Sequence, residues 1–304
     1  MSQLPAPPVT RSLGRSGIDV SPIAWGMWRL AEGGRSATDA ARLVHTALDA
    51  GITLLDTADI YGFDGHDGFG DAETLLGEVL AADGSLRGRM VLATKGGIRP
   101  PLPYDQSPEY IAQAIDNSLR RLRVDMVDLW QIHRPDILAH PQEVARALED
   151  AMAVGKIRAL GVSNYTPSQI DALTAFLGQP LASTQPEISP LRIEPFENGQ
   201  LDQAMRLELT PLAWSPLGGG RLLSPDTARD EAVAAELDRV GQEQGVSRSV
   251  AAYGWLMAHP SGIVPIVGSQ SPARIAEAAL ALTMRWTRAD WYAVLVAARG
   301  ERLP

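Results

Sequence analysis

Short apolar runs alternate with stretches of helical spacing along almost the whole chain. The run Ile52-Thr53-Leu54-Leu55 is short and partly β-branched, and it closes on Asp56, which predicts a buried strand. Seven further runs behave alike. They are Ile23–Gly26, Met90–Thr94 leading into Lys95, Val127–Ile132 leading into His133, Ile157–Val162 leading into Ser163-Asn164, Leu181–Gln185, Pro211–Trp214 leading into Ser215, and Ile263–Val267 leading into Gly268-Ser269. Between them the apolar period becomes helical. Thr38 is read as the cap of a helix carrying Val44, Ala47 and Leu48 on one face. Leu75, Leu76, Val79 and Leu80 form the next face, and Ser107-Pro108 caps a third helix carrying Ile111, Ile115, Leu119 and Leu122. Pro141 opens a helix through Val144, Leu148 and Met152, and Thr166-Pro167 caps another. Helices are also expected near 197–208 and over 227–259, the latter broken near Gly245, and after Ser271-Pro272 with Ile275, Ala279 and Leu282 inward.

Eight strands alternating with helices imply a parallel sheet, and eight units over 304 residues imply an α/β fold of the (β/α)8 TIM barrel type in one domain spanning 1–304. Apolar pieces around Gly14 and Gly17 predict an N-terminal β-hairpin, and residues 287–300 an extra C-terminal helix. The competing architecture is a doubly wound open sheet. No G-x-G-x-x-G follows the first strand, so that fold's dinucleotide fingerprint is missing.

Composition narrows the function classes. A net charge of −9 argues against nucleic-acid or anionic-membrane surfaces. The absence of Cys excludes thiolate chemistry and Cys-based metal sites, and no His and carboxylate spacing resembles a zinc motif, so no metal is expected. No apolar run reaches membrane-spanning length, and the N-terminus shows no secretory pattern, so a cytoplasmic protein is expected. Of the 27 basic residues, only Lys95 and Lys156 are lysines. Codon bias accounts for most of that excess of Arg, but a Lys kept at a strand end points to a site needing a compact, titratable charge.

The polar residues at the strand ends carry the candidate chemistry. In a barrel those ends meet on one face, where active sites lie. Asp56, Tyr61, Lys95 and His133 compose an acid site: Asp56 holds Lys95 charged, the ammonium lowers the Tyr61 pKa, and His133 steers a carbonyl oxygen toward Tyr61. The bland alternatives stand beside this reading. Asp56–Lys95 serves equally well as a buried structural ion pair, Tyr61 as a rim residue and His133 as a core histidine. His66, in the Asp- and Gly-rich loop after Tyr61, reads as a solvated residue, and that loop as a shaper of the mouth.

These residues resemble the aldo-keto reductase family, in its bacterial NADP-dependent branch. LLDTADIYG carries the Asp and Tyr, ATKGG the Lys and LWQIHRPD the His; GKIRALGVSNYTP, WSPLGGGRL and IVPIVGSQSPARIAEA resemble the family's three cofactor stretches. The resemblance runs from Arg11 to about Ala281. It implies NADP(H) bound without a Rossmann fold, Tyr61 as general acid, Lys95 and Asp56 tuning it, and His133 orienting the carbonyl. It implies Ser163, Asn164 and Gln185 at the nicotinamide carboxamide and Trp214 stacked on the ring. The resemblance further implies Ser215, Leu217, Gly218 and Gly219 along the pyrophosphate, Met27 and Trp28 bordering the nicotinamide and ribose, Gly268, Ser269, Gln270 and Arg274 around the 2′-phosphate, and Glu277 at the adenine. Ala278 and Gly268 depart from relatives that place Asn and Lys there, which weakens the adenosine end. Trp28, Tyr104 and the 62–70 loop are expected to line an open substrate pocket.

The leading expectation is therefore NADPH-dependent reduction of small aldehydes or ketones. A nicotinamide-binding sensor with little turnover and a dehydrogenase working toward oxidation are the alternatives. Nothing in the sequence reports the oligomeric state.

Overall fold

The computed structural model describes residues 3–303. A hairpin of β1 (Arg11–Ser12) and β2 (Asp19–Val20) comes first. It is followed by β3 (Ala24–Gly26), β4 (Leu54–Asp56), β5 (Val91–Gly96), β6 (Val127–Ile132), β7 (Ile157–Ser163), β8 (Ser183–Gln185), β9 (Thr210–Ala213) and β10 (Val264–Val267). Among the described residues, β3 to β10 pair in parallel and close into a barrel through the β10–β3 pairing. The expected (β/α)8 barrel, its hairpin and its extra C-terminal helix are all present.

Side chains alternate across each strand, and the inward set is stratified. Ala24, Leu54, Ala93, Leu129, Ala159, Leu212 and Val264 form one apolar cluster inside the barrel, together with Leu13, Ile18 and Val20 of the hairpin. The hairpin thus plugs the N-terminal end. Further along the strands the inward face turns polar: Asp56, Lys95 and Gln131 lie two residues beyond Leu54, Ala93 and Leu129, Ser163 four beyond Ala159, and Gln185 at the end of β8. The outward set, including Leu55, Leu92, Trp130 and Leu160, joins the core beneath the helices.

Those helices are α1 (Ala37–Asp49), α2 (Asp71–Ala82), α3 (Pro108–Leu122), α4 (Pro141–Ala153), α5 (Pro167–Thr174), α6 (Gln200–Leu207), α7 (Ala228–Gln244), α8 (Arg248–Met257), α9 (Pro272–Ala278) and α10 (Arg288–Arg299). Their starts follow local chemistry. Ser107 accepts from the Tyr110 N–H, and Thr166 and Gln169 form a reciprocal capping box. Gly245 ends α7 in the left-handed conformation, which separates α7 from α8 as expected.

Two local expectations fail. Thr38 is not the α1 cap: Ser36 is, accepting from the Asp39 N–H, so the helix starts two residues earlier. The last barrel helix is also shorter and rotated. It ends at Ala278, and Ile275, Ala278 and Ala281 are buried rather than Ala279 and Leu282, because a 3₁₀ turn over Ala279–Thr283 changes the period.

Candidate active site

The inward polar layer lies at the C-terminal ends of the strands. Asp56 is only 2% exposed and Lys95 0%. The Lys95 Nζ donates to Asp56 Oδ2 and to the Thr57 carbonyl, both at 2.7 Å. The other carboxylate oxygen accepts from Gln185 Nε2 at 3.1 Å and Gln131 Nε2 at 3.3 Å. A buried carboxylate with three donors and a buried ammonium with two acceptors are each compensated, which is the condition for keeping both charged. Burial works against the Lys95 charge, but Asp56 and Tyr61 outweigh it and hold the ammonium above its ordinary range.

Tyr61 sits over this pair, with Lys95 Nζ 4.8 Å from its ring centroid. Its ring meets that of His133 edge-on at 5.8 Å. The expected lowering of the Tyr61 pKa is not what the structure shows. Burial raises it, the Asp56 charge adds to the rise, and the ammonium only partly offsets them. Tyr61 therefore keeps its proton at neutral pH. His133 is pushed well below the usual imidazole range, by burial first and then by Lys95 and Arg134. It is thus neutral, with its backbone N–H fixed on the Gly96 carbonyl at 2.8 Å and a buried, unpartnered Nδ1. The four candidate catalytic residues are brought together in one cluster.

The residues expected at the carboxamide also meet, but they are bonded to one another. Ser163 Oγ donates to the Gln185 carbonyl at 2.8 Å. The Asn164 amide donates to the His133 carbonyl and to Ser163 Oγ, both at 3.0 Å. Trp214 Nε1 donates to Asn164 Oδ1 at 3.0 Å. Asn164 (φ 61°) and Ser215 (φ 54°) take the left-handed conformation, turning the chain sharply as it leaves β7 and β9.

Beyond Trp214 the backbone is bare. Gly218, Gly219 and Gly220 have φ of 61°, 67° and 97°, and Ser215 Oγ accepts from the Gly219 N–H at 3.1 Å. A Cβ at Gly219, Gly220 or Gly268 would meet nothing within 4 Å. Arg274 is exposed and has no ion-pair partner among the described residues. The bare backbone at Gly218–Gly220 and the unpaired Arg274 guanidinium are each open to solvent. Leu217 and Glu277 are half-buried. Three of the residues expected at the cofactor already hold contacts within the fold. Met27 is fully buried in the core, so it can act at the mouth only through packing. The Ser269 carbonyl accepts from Trp25 Nε1 at 2.9 Å, and Gln270 Nε2 donates to the Gly26 carbonyl at 3.3 Å. Trp28 is 63% exposed and Tyr104 38%, which leaves both rings accessible to solvent.

The family model for the aldo/keto reductase family matches residues 22–294. The chain belongs to the aldo/keto reductase family. Over 304 residues it is 75% identical to 6-dehydroglucose reductase of Novosphingobium aromaticivorans, with all of both chains covered. A 6-dehydroglucose reductase of Agrobacterium fabrum is 36% identical, covering 94% of this chain and 97% of that one. The oxidoreductase YdhF of Escherichia coli is 37% identical over 95% and 97%. The crystal structure of the thermostable aldo-keto reductase Tm1743 has a TM-score of 0.81 at 21% identity, covering 95% of this chain and 100% of that one, a likeness of fold. The chain is an oxidoreductase of this family, whose members use nicotinamide cofactors and act on small carbonyl compounds. Among the described residues no helix is long and apolar enough to cross a membrane, and no His, Cys, Asp and Glu group could hold a metal.

Part of the site escaped the sequence reading. Gln131 and Ser183 complete the inward polar layer, with Ser183 Oγ donating to Gln131 Oε1 at 3.1 Å. Gly161 makes that bond possible, since a Cβ there would overlap Ser183 Oγ and crowd Gln131. The signal was available: Gln131 stands two residues before His133 in a strand, hence on the same face. Behind Lys95 lies a second buried cluster. Glu73 of α2 receives Arg121 of α3 at 2.7 Å and the Thr94 hydroxyl, tying both helices to β5. Asp59 lies beside it with both oxygens unpartnered and a strongly raised pKa, from burial first and then Glu73.

Proposed function

We propose that this reductase uses NADPH to reduce a sugar-derived aldehyde, with Tyr61 as the proton donor. The observation that carries the reading is the Asp56–Lys95 pair held under Tyr61, with neutral His133 against its ring. The cofactor, when bound, supplies the hydride. Trp214, Asn164 and the Gly218–Gly220 track are the residues that would hold it, with Arg274 at the 2′-phosphate.

The protein's own part follows from the geometry. His133, neutral at working pH, can donate a hydrogen bond to the carbonyl oxygen without itself losing a proton. The same oxygen then lies beside Tyr61, whose proton it takes as negative charge develops. The tyrosinate that results is stabilised by the Lys95 ammonium, which the Asp56 carboxylate keeps in place. The raised Tyr61 pKa favours the reductive direction near neutrality, since oxidation needs tyrosinate as base. The sugar-aldehyde class is supported by the 75% identity to a 6-dehydroglucose reductase, a name that describes glucose carrying an aldehyde at C6.

The test is NADPH consumption by purified protein with 6-dehydroglucose, followed at the nicotinamide absorbance with glucose measured as product. Stoichiometric formation of glucose is expected. Cofactor binding without turnover of any aldehyde would turn the reading toward a sensor.

A further inference from the structure

Beside the catalytic cluster lies a cleft of about 290 Å³. Asn164 and Trp214, next to the catalytic cluster, are among the residues that line it. Its walls are Arg134, Glu187, Arg192, Glu194, Asn198 and Gln200. Ligand pockets are usually apolar with a few polar groups; this one reverses that proportion. Two guanidinium groups and two carboxylates balance, so the cleft carries no net charge to attract an ion. What it offers is a dense mixture of donors and acceptors. That is the chemistry of a neutral, polyhydroxylated ligand, whose hydroxyls each give and take a hydrogen bond.

The walls are mounted on ordered backbone. Glu187 and Trp214 form a parallel bridge that extends the β8–β9 pairing beyond the barrel. Ser189 and Arg192 exchange backbone hydrogen bonds at 2.9 and 3.3 Å, closing a turn that presents Arg192. The short turn Glu194–Phe196 is anchored by Phe196, whose ring lies 5.2 Å from Trp255 and 5.1 Å from His259. The polar side chains themselves are only loosely engaged. Arg192 reaches Glu194 at 3.3 Å and Glu187 at 3.8 Å. Asn198 Nδ2 donates to Gln200 Oε1 at 3.4 Å.

Arg134 is the residue that joins this cleft to the chemistry. It follows His133 directly, and its guanidinium carbon lies 6.0 Å from the Trp214 ring centroid. Its own carbonyl is fixed by Gln106 Nε2. Among the described residues its guanidinium has neither an ion-pair partner nor a hydrogen-bond acceptor, so its donors are free. We propose that the cleft is the subsite for the hydroxyl-bearing end of a neutral sugar aldehyde, with Arg134 as its main specificity-determining residue. The inference rests on the reductase reading above and adds to it the residues that select a polyol over a plain aldehyde.

The experiment compares kcat/KM for 6-dehydroglucose, propanal and succinic semialdehyde in the wild-type protein and in Arg134→Met, Arg134→Gln and Glu187→Leu. Thermal melts exclude misfolded variants. The expected result is a sugar-to-propanal ratio that falls roughly 10- to 100-fold in Arg134→Met and Glu187→Leu, the scale of losing charge-assisted hydrogen bonds to substrate hydroxyls. Arg134→Gln, which keeps a donor, should recover part of it. Equal losses on sugar and propanal would overturn the proposal by showing a general effect on the mouth. A larger loss on succinic semialdehyde than on the sugar would overturn it in favour of an anion clamp. Wild-type turnover of propanal with no preference for the sugar would overturn the subsite and leave the reductase standing. No turnover of any of the three would remove both.

Discussion

Replacing Asp56 by Asn tests the electrostatic centre of the site. The change keeps size and removes one charge. The one remaining acceptor oxygen can serve either the fully buried Lys95, which otherwise keeps only the Thr57 carbonyl, or the two amides that Gln131 and Gln185 aim at Asp56, but not both. Breaking one partner of a buried pair costs about 3–5 kcal/mol. In a chain of this size each kcal/mol moves Tm by about 2 °C, so Tm should fall by about 6–10 °C. The pH slope should also reverse. In the wild type the Lys95 pKa is raised in the fold, so its stabilisation is present below the unfolded value of ~10.4 and lost as pH rises through the folded one. Without Asp56, burial dominates and depresses that pKa, the unfolded chain binds more protons, and stability rises with pH. The assay is urea unfolding followed by circular dichroism between pH 7 and about pH 11, on the wild type, Asp56→Asn, Lys95→Met and the double variant. The double variant should cost less than the sum of the singles, because it removes the orphaned charge. A single-variant loss below ~1 kcal/mol, or strict additivity in the double variant, would refute the reasoning.

Other consequences follow from particular contacts. Arg274→Ala should weaken NADPH binding roughly tenfold or more while NADH changes little, read by quenching of tryptophan fluorescence; equal losses would show that Arg274 meets no phosphate. His259 is pushed down to about 4 by burial, although Asp202 opposes the shift. Its folded pKa is depressed, so the unfolded chain takes up the proton first, and stability is lost as pH falls from ~6.5 toward 4. After allowing for its partial exposure this amounts to about 1–2 kcal/mol, and His259→Gln should flatten that part of the stability–pH curve. Gly161→Ala forces a methyl against Ser183 and Gln131 and should cost about 1–3 kcal/mol by chemical denaturation. Oxidation of an alcohol should accelerate toward alkaline pH, in step with the raised Tyr61 pKa, while reduction stays flat through neutrality.

The barrel was readable because period-2 and period-3.6 patterns alternate cleanly, and because Ser-Pro and Thr-Pro pairs mark helix starts by a local mechanism. Thr38 misled because Ser36 and Thr38 are both capping residues, and only the backbone decides between them. The phase of α9 was lost where a 3₁₀ turn follows it. At the site, strand-end residues were visible as polar breaks in apolar runs. Gln131 could be placed on the inward face by its spacing to His133, but the roles of Ser183 and Gly161 were not visible, since they depend on register between neighbouring strands, where Gln131 pairs with Gly161 and Gly161 with Ser183. The direction of the Tyr61 shift was misjudged for a related reason. The pull of an ammonium can be guessed from a motif, but the burial that overrides it belongs to the packed fold.

The central claim is that Tyr61 delivers the proton. The most direct measurement is single-turnover reduction of 6-dehydroglucose by NADPH-saturated wild type and Tyr61→Phe, with NADPH affinity determined on both. The account predicts nearly unchanged NADPH binding and a rate lower by about 10²–10⁴ in Tyr61→Phe. A rate close to that of the wild type would contradict it.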